Sequence, residues 1–369
     1  MRRYTAPCGP GRRRTARAAA VVLACVLWPV AALPAPLPGA EQVVTHTLPN
    51  GLKVVVWPNR NIPNVALYTW YRVGSRNEQS GLTGISHFFE HMMFKGTTTR
   101  PEGEFDRVME ASGGSNNANT REDVTVYQDW FPSTAIATVF ELESDRMRNL
   151  DFDPKAVESE RSVVYSERRS SVDNDNFETL REQVQAVAYL AHPYRIPVIG
   201  WPSDIESWKV QDLKDFYKKF YAPNNAVMFV VGDVVPEEVF RLAEKYFAGI
   251  PAQRLAEPVT TREPPQLGER RIRIVREAQA PILVMAWHAG AAPDRETRVM
   301  EVLLSILGGG DSSRLHQRLV EQEQAAVEVG TAIESGFDPG LAWVYAVVPP
   351  GGSPARAEAM IDAEIARIA

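Results

Sequence analysis

The sequence predicts an α+β fold in which a mixed β-sheet with flanking helices forms one complete domain, followed by a second, related domain that is partial. Apolar runs typical of strands are interleaved with longer amphipathic runs typical of helices. Between residues 251 and 270 the chain is rich in Pro, Arg and Glu and poor in apolar residues, which is typical of a linker. Strand and helix patterns then begin again, which predicts the second domain.

Residues 1–40 are predicted to be a signal peptide. They contain six arginines and no acidic residue, and the apolar run at residues 18–32 is short for a membrane span. Cleavage near Ala35 or Ala40 would export the chain to the periplasm. Retention of this leader as an N-terminal membrane anchor and lipidation at Cys25 are the two alternatives.

Charge and cysteine content exclude two classes of site. The formal net charge is −6, and loss of the arginine-rich leader would make the chain more acidic, so nucleic acid is not an expected partner. Both cysteines lie in the leader. The rest of the chain therefore offers neither a disulfide nor a thiolate ligand for a metal.

The first domain, residues 41–250, opens with two strands that a turn at Pro49-Asn50-Gly51 joins into a hairpin. A later helix is expected to have Asp153 as its N-cap and Pro154 at its first position. Further strands are predicted within 64–74, 123–131 and 224–234, and helices within 81–94, 102–114, 132–150, 153–169 and 236–250.

The second domain, residues 271–369, is predicted to begin with strands at 271–275 and 280–290 and a helix at 295–309. The chain ends at Ala369 inside an apolar, helix-like run. This unit is much shorter than the first, so we expect it to be an incomplete relative of the first domain.

A candidate metal site lies in the segment 84–97, GISHFFEHMMFKGT. On a helix, His87 and His91 project from one face, and Glu90 falls on the neighbouring edge of that face. The pair would give two imidazole ligands to a zinc ion and leave a carboxylate beside its open coordination position. A buried core helix explains these residues equally well, because their neighbours are apolar.

A catalytic zinc ion needs a third protein ligand and keeps one position for water. Glu160 and Glu167 lie seven residues apart in the segment 158–170, ESERSVVYSERRS, and therefore on one face of a second helix. A solvated helix face explains this spacing as well. The residues alone leave the two interpretations open.

A resemblance to a known family motif decides in favour of the metal. His87-Phe-Phe-Glu90-His91, followed by Glu167 with Glu160 two turns earlier, resembles the inverted zinc peptidases of the insulinase/pitrilysin family, in particular the bacterial processing-peptidase-like subgroup. LPNGLKVVV, HPYRIPVIGW and FYKKFYAPNNAVMFVVGDV also resemble family segments. The resemblance covers about residues 43–350 and implies a peptidase-type first domain in one half of a clamshell.

The resemblance also implies a role for each residue of the motif. His87, His91 and Glu167 would bind one Zn²⁺ per chain. Glu90 would be the general base that activates the attacking water. Glu160 would hydrogen-bond to a ligand histidine and fix its tautomer and ring orientation.

Substrate contacts are expected in the segment 113–128, GGSNNANTREDVTVYQ, which resembles the family's substrate-binding edge strand. An extended peptide would add to this strand through backbone hydrogen bonds, so peptides are the expected substrates. Asn117, Ala118 and Thr120 would lie beside the zinc, with Tyr127 packed nearby on the next strand.

The second domain departs from the family pattern. Active members carry an Arg and, seven residues later, a Tyr that reach the substrate carbonyl, and these positions fall on Val320 and Val327. Neither valine donates a hydrogen bond. A related chain in a homo- or heterodimer could supply the pair; alternatively, Arg318 or Arg314 plays the role of the arginine.

The sequence thus predicts an exported zinc endopeptidase that works with a partner subunit. A non-catalytic assembly or binding subunit of a peptidase complex, and a structural zinc site in an unrelated exported protein, are the alternatives. The remaining histidines of the chain beyond the motif are expected to be structural or exposed: His46, His192, His288 and His316.

Overall fold

The computed structural model describes residues 42–368. The predicted signal peptide, residues 1–40, lies outside the described residues. From Gln42 onward the chain forms one unit by its internal contacts. The boundaries predicted for the two domains within it stay predictions.

A six-stranded sheet forms the first half of the described chain, in the order β1-β2-β6-β3-β5-β4. The β2–β6 pair is parallel and the other pairs are antiparallel, which confirms the mixed sheet. The strands are β1 Val44–Thr47, β2 Lys53–Pro58, β3 Asn64–Tyr71, β4 Ser115–Thr120, β5 Thr125–Pro132 and β6 Ala226–Gly232.

Eight α-helices accompany this sheet in the described chain, and three of them, α5 to α7, were not predicted. They are α1 Ile85–Met92, α2 Glu104–Ala111, α3 Ile136–Asn149, α4 Pro154–Arg168, α5 Asn176–Ala188, α6 Pro202–Ser207, α7 Val210–Phe220 and α8 Pro236–Phe247. Alternate residues of β2 and β3 and the apolar faces of these helices form one continuous core.

The helix α1 is shorter than the predicted 81–94. It begins at Ile85 because Gly81 and Gly84 both adopt positive φ, at +91° and +82°, which ends the preceding turn. A Cβ on Gly84 would lie 2.5 Å from the carbonyl oxygen of Ile199, so only glycine fits this close approach. The start of α1 is thereby fixed against the segment that precedes α6.

The helix α4 begins as its sequence predicts. The carboxylate of Asp153 accepts a 3.1 Å hydrogen bond from the backbone N–H of Ala156, and Pro154 occupies the first helical position. After Arg168 the helix continues into one π-helical turn, Arg169–Asp173. This cap fixes where the helix starts and therefore which side chains it turns towards α1.

The second half of the described chain has its own three-stranded sheet, in the order β7-β9-β8, and its own core. Its elements are β7 Ile282–His288, α9 Arg295–Gly308, β8 Glu328–Glu334, β9 Leu341–Val347 and α10 Pro354–Ile368. The strand order β7-β9-β8 repeats that of β3-β5-β4 in the first sheet. This repetition supports a relationship between the two halves.

The strand predicted at 271–275 is wrong. Residues 251–281 contain no helix or strand, and Val275 is 83% exposed. Arg270 instead donates to the carbonyls of Val187 and Ala188 at the end of α5, and Arg271 pairs with Glu358 on α10. Side-chain contacts of the arginines, rather than a backbone ladder, hold this segment.

Among residues 42–368, no helix combines the length and the apolar character that crossing a bilayer requires.

Candidate metal centre

Three side chains that could bind a metal converge between α1 and α4. His87 and His91 project from successive turns of α1, with ring centroids 4.8 Å apart. Glu167, on the last turn of α4, lies opposite them: its carboxylate oxygens are 3.7 Å from Nε2 of His87 and 3.3 Å from Nε2 of His91. One ligand atom from each residue lies within 4.8 Å of the other two.

The donor set and its spacing fit a zinc ion. Tetrahedral coordination with bonds of about 2.0–2.1 Å places ligand atoms roughly 3.4 Å apart, which matches both nitrogen–oxygen distances. Two imidazoles and one carboxylate also leave one coordination position open, as catalytic zinc sites do. Burial lowers the pKa of His87 to about 4, against the opposing effect of Glu167, so its imidazole is neutral and able to bind a metal near pH 7.

Glu160 orients His91 from the side away from Glu167. Nδ1 of His91 lies 2.8 Å from Oε1 of Glu160, whose second oxygen pairs with Nζ of Lys95 at 2.8 Å. Burial acts to raise the pKa of Glu160, but His91 and Lys95 outweigh it and hold the pKa below its usual range. An ionised Glu160 accepts a hydrogen bond from Nδ1–H of His91 and leaves Nε2 facing the metal position.

Glu90 lies beside the metal ligands but is not one of the three residues whose ligand atoms converge. Its Oε2 accepts a 2.7 Å hydrogen bond from the hydroxyl of Thr120. Burial raises its pKa above the ordinary value for glutamate, although the Thr120 hydroxyl acts in the opposite sense. A carboxylate with a raised pKa in a cavity is suited to accept and return a proton.

The edge strand β4 reaches the cavity at its C-terminal end. A cavity of about 540 Å³ contains His87, Glu90 and Glu167, and β4 contributes Asn119 and Thr120 to its wall. Asn119 was not among the predicted site residues. Strand alternation gave no signal for it, because adjacent side chains such as those of Asn119 and Thr120 point to opposite faces of a strand.

The other predicted substrate-binding residues are not among those that line this cavity. Ala118 packs against the core beside Tyr127, its partner in the β4–β5 ladder, and Asn117 is exposed opposite Gln128. The hydroxyl of Tyr127 donates a 3.1 Å hydrogen bond to the carbonyl of Phe89 on α1. Tyr127 therefore connects β5 to the metal-binding helix α1.

The opposite wall of the cavity comes from α5 and includes Arg181. Its guanidinium pairs with Glu178 at 2.8 Å and, across the two halves, with Glu334 at the end of β8 at 3.2 Å. Arg181 was not among the predicted site residues, because α5 itself was not predicted.

The second half gives neither valine a polar role. Val320 packs against the core of that half, and Val327 is 57% exposed. Arg314 is engaged by Glu364 at 3.0 Å and Arg318 by Glu323 at 3.2 Å. Both arginines are thus already paired within the second half.

The remaining histidines lie outside the metal group. His46 pairs with Glu244 at 3.0 Å, and His316 lies 3.4 Å from Glu321. His288 packs edge-on against an aromatic ring at the end of α5. His192 is buried, and its surroundings join the two halves of the chain.

Comparison with known proteins agrees with this geometry. Residues 53–200 match the family model described as insulinase (peptidase family M16), and residues 207–369 match the model described as peptidase M16 inactive domain. Zinc protease PqqE of Helicobacter pylori is 34% identical over 297 residues, which are 79% of this chain and 66% of that protein. An uncharacterized zinc protease of Mycobacterium tuberculosis is 30% identical over 307 residues, 82% of this chain and 70% of the relative.

Solved structures lead to the same family. The crystal structure of a protease from Helicobacter pylori superposes with a TM-score of 0.85 at 31% identity and covers 88% of this chain and 79% of that one. A peptidase M16 inactive domain from Pseudomonas fluorescens, at 18% identity and a TM-score of 0.80, shows the shared fold. With its relatives named as zinc proteases and with models of one peptidase family matched over residues 53–200 and 207–369, the chain belongs to the insulinase family of zinc peptidases, family M16.

Proposed function

We propose that this chain is a zinc-dependent endopeptidase that hydrolyses peptides or unfolded segments, with one zinc ion per chain. The observation that carries the proposal is the convergence of His87, His91 and Glu167 beside a cavity whose lining includes His87, Glu167 and Glu90. A structural zinc site would not need a free carboxylate beside its ligands. The chain spans 66% of the length of PqqE, and the activity is proposed for this chain on its own residues.

The three ligand residues would hold the ion, and zinc, when bound, supplies a Lewis acid that polarises the substrate carbonyl and lowers the pKa of water. Glu90 takes the proton of the attacking water. Its Oε2 is engaged by Thr120, so the proton would go to Oε1 and pass from there to the leaving amine. Glu160 keeps the Nδ1 proton of His91 in place during the reaction.

The substrate would bind as an added strand. β4 lies at the edge of the described sheet, with β5 on one side and a free row of backbone groups on the other. A peptide that pairs with this edge is carried past Asn119 and Thr120 towards the metal ligands. Because backbone groups make the pairing, the strand would accept varied sequences.

We also propose that the chain acts after export and together with a related subunit. The arginine-rich leader supports periplasmic export. The partner is motivated by Val320 and Val327, which cannot donate to a carbonyl oxygen, and by the pairing of Arg314 and Arg318 with acids of their own half. A related chain would supply the missing Arg and Tyr.

Glu90→Gln tests the proposed catalytic function. Glutamine keeps the shape of glutamate and cannot accept the proton, so turnover of a quenched peptide should fall by about 10²-fold or more while zinc content is unchanged. Glu158→Gln, an exposed carboxylate on α4, is the matched control and should leave both unchanged. Loss of zinc together with activity would place Glu90 among the ligands and contradict its role as base.

A zinc-loaded wild type that binds peptides without cleaving them, alone or with a related chain, would favour the alternative of a non-catalytic binding subunit. The arginine pairing in the second half is the observation that keeps this alternative open.

A further inference from the structure

A buried carboxylate outside the metal cavity joins the two halves of the chain. Asp123 is 8% exposed and lies in the tight turn between β4 and β5, where Arg121 N–H donates to the carbonyl of Val124 at 2.8 Å. It follows Thr120 by three residues. Any displacement of this turn would therefore move the end of β4.

Donors from three distant segments converge on Asp123. Nη1 of Arg76 donates at 2.9 Å, and the hydroxyl of Tyr194 lies 2.8 and 3.0 Å from the two carboxylate oxygens. The backbone N–H of Phe337 donates at 2.7 Å. Phe337 belongs to the loop between β8 and β9, so this last bond crosses from the second half to the first.

The same loop is held on both sides of Phe337. The carboxylate of Asp338 pairs with Nη2 of Arg76 at 2.6 Å and with Nε2 of His192 at 3.2 Å. A Cβ on Gly336 would lie 2.1 Å from Oδ2 of Asp123, so only glycine allows the loop to approach this closely. The contact thus requires Gly336 in the loop as well as Asp123 in the turn.

Within the first half, two backbone hydrogen bonds also hold the turn: the N–H groups of Ser75 and Arg76 donate to the carbonyls of Arg121 and Glu122, at 3.4 and 2.9 Å. β4 is an edge strand of the described sheet, and its ladder to β5 ends at the pair Thr120–Thr125. The hydroxyl of Thr120, at that last pair, is the group that contacts Glu90. The loop between β8 and β9 also follows Glu334, which pairs with Arg181 on the opposite cavity wall. Both walls of the cavity are therefore connected to one hairpin of the second half.

We propose that Asp123 is a positioning residue: by anchoring the β4–β5 turn to the loop between β8 and β9, it holds the Thr120 hydroxyl against Glu90. The inference rests on the proposed peptidase function. Catalysis is sensitive to such support, because a misplacement of about 1 Å can reduce a rate by 10²-fold. The second half, which lies within the segment 207–369 matched by the model of an inactive domain, would then contribute to catalysis by holding the site of the first half.

A double-mutant cycle on turnover tests the route through Thr120. Asp123→Asn keeps the size of the side chain and removes its charge, and it should lower kcat by about 10-fold, as a small displacement of a catalytic contact does. If Asp123 acts through Thr120, the double variant Asp123→Asn/Thr120→Val should be no slower than Thr120→Val alone. If the two single variants' losses of kcat, expressed as free energies, were fully additive in the double variant, Asp123 would act independently of Thr120 and the proposal would be overturned.

Hydrogen exchange gives a readout that does not depend on activity. In Asp123→Asn, amides of residues 115–126 should exchange faster, while those of α1 stay protected. Glu358→Gln is the matched control: it removes an ion pair between α10 and Arg271 and should change neither this exchange nor kcat. Unchanged exchange at 115–126 in Asp123→Asn would overturn the proposal.

Tyr194→Phe covers the case in which Asp123→Asn does not fold. It removes one hydroxyl that contacts Asp123 and should accelerate exchange at 115–126 to a smaller extent. Equal exchange at residues 115–126 in Tyr194→Phe and wild type would contradict the proposal that Asp123 anchors the turn. If the wild type has no peptidase activity with or without a partner, the proposed function fails, and the exchange measurements alone then decide whether Asp123 holds the turn.

Discussion

The hydroxyl of Thr120 donates a 2.7 Å hydrogen bond to Oε2 of Glu90 and so connects the edge strand β4 to the metal-binding helix α1. The strand proposed to bind substrate and the proposed base are therefore coupled by one contact. With Oε2 bonded to Thr120, the proposed acceptor for the proton of the attacking water is the other oxygen, Oε1.

Thr120→Val should lower turnover without loss of zinc. Valine has the shape of threonine but cannot donate, and a hydrogen bond to a charged group contributes about 1.5–3 kcal/mol, so a reduction of kcat by about 10-fold or more is expected. Peptide turnover and zinc content should be measured on one preparation. Thr331→Val, which removes a hydroxyl bonded to Leu304 in the second half, is the control. Equal rates for Thr120→Val and wild type would show that the contact has no catalytic role.

The two glutamates of α4 should differ in their effect on zinc. Glu167→Ala removes a ligand and should abolish tight binding, whereas Glu160→Ala removes the partner of His91 and should weaken binding by about 10–100-fold. Competition with a chromophoric chelator measures both affinities, with the exposed Glu158→Ala on the same helix as control. A larger loss for Glu160→Ala than for Glu167→Ala would exchange the proposed roles of the two residues.

The sequence predicts the metal ligands better than it predicts the residues that hold the site in position. Helical spacing places His87 and His91 on one face of α1, and the family resemblance implies Glu167 as the third ligand, so their approach could be anticipated. The contact between Thr120 and Glu90 could not, because it depends on how far β4 extends along α1. Asp123 and Phe337 are 214 residues apart, and no local pattern indicates that they meet.

Local signals also explain which parts of the fold were predicted. Asp153 and Pro154 determine the start of α4 through chemistry that is visible in the sequence. The alternating residues 271–275 have the pattern of a strand, yet a strand needs a neighbour with which to pair. Arg271 pairs with a side chain of α10 instead, and this tertiary contact decides the outcome.

The isolated, zinc-loaded chain should be a weak peptidase that a related chain activates. A tetrahedral intermediate carries negative charge on the former carbonyl oxygen, and one additional donor there typically contributes about 2.7–4 kcal/mol. Val320 and Val327 offer no donor, so turnover is expected to be about 10²–10³-fold below that of the complete site. Peptide cleavage should be titrated against an added family member that carries the Arg and Tyr.

The control for this titration is the same family member with its Arg and Tyr replaced by valine. It should bind without restoring turnover. Full activity of the purified chain alone, unchanged by the partner and abolished by Glu90→Gln, would refute the need for a partner and leave the proposed zinc ligands unaffected.

Asp204 should stabilise the start of α1 in a pH-dependent manner. Its carboxylate accepts hydrogen bonds from the backbone N–H of Gly81 and Thr83 and from the hydroxyl of Thr83, at 3.0, 3.2 and 2.8 Å. Burial acts to raise the pKa of Asp204, but these donors outweigh it and hold the pKa below its usual range. The folded state therefore favours the ionised carboxylate more than the unfolded state does.

The sign of the effect follows from this direction. A lowered pKa in the folded state means that stabilisation is complete above the unfolded pKa of about 3.9 and disappears as the pH falls through the folded value. Asp204→Asn should lower the free energy of unfolding by about 1–2 kcal/mol at pH 7, a typical loss for hydrogen bonds to a partly exposed carboxylate. Urea unfolding of both proteins should show a constant difference in the free energy of unfolding between pH 7 and 5 that shrinks below pH 4.

Glu206→Gln, which changes an exposed carboxylate on the same helix α6, is the control and should show no such difference from wild type. If the difference in the free energy of unfolding between Asp204→Asn and wild type instead grew below pH 4, these donors would not favour the ionised carboxylate.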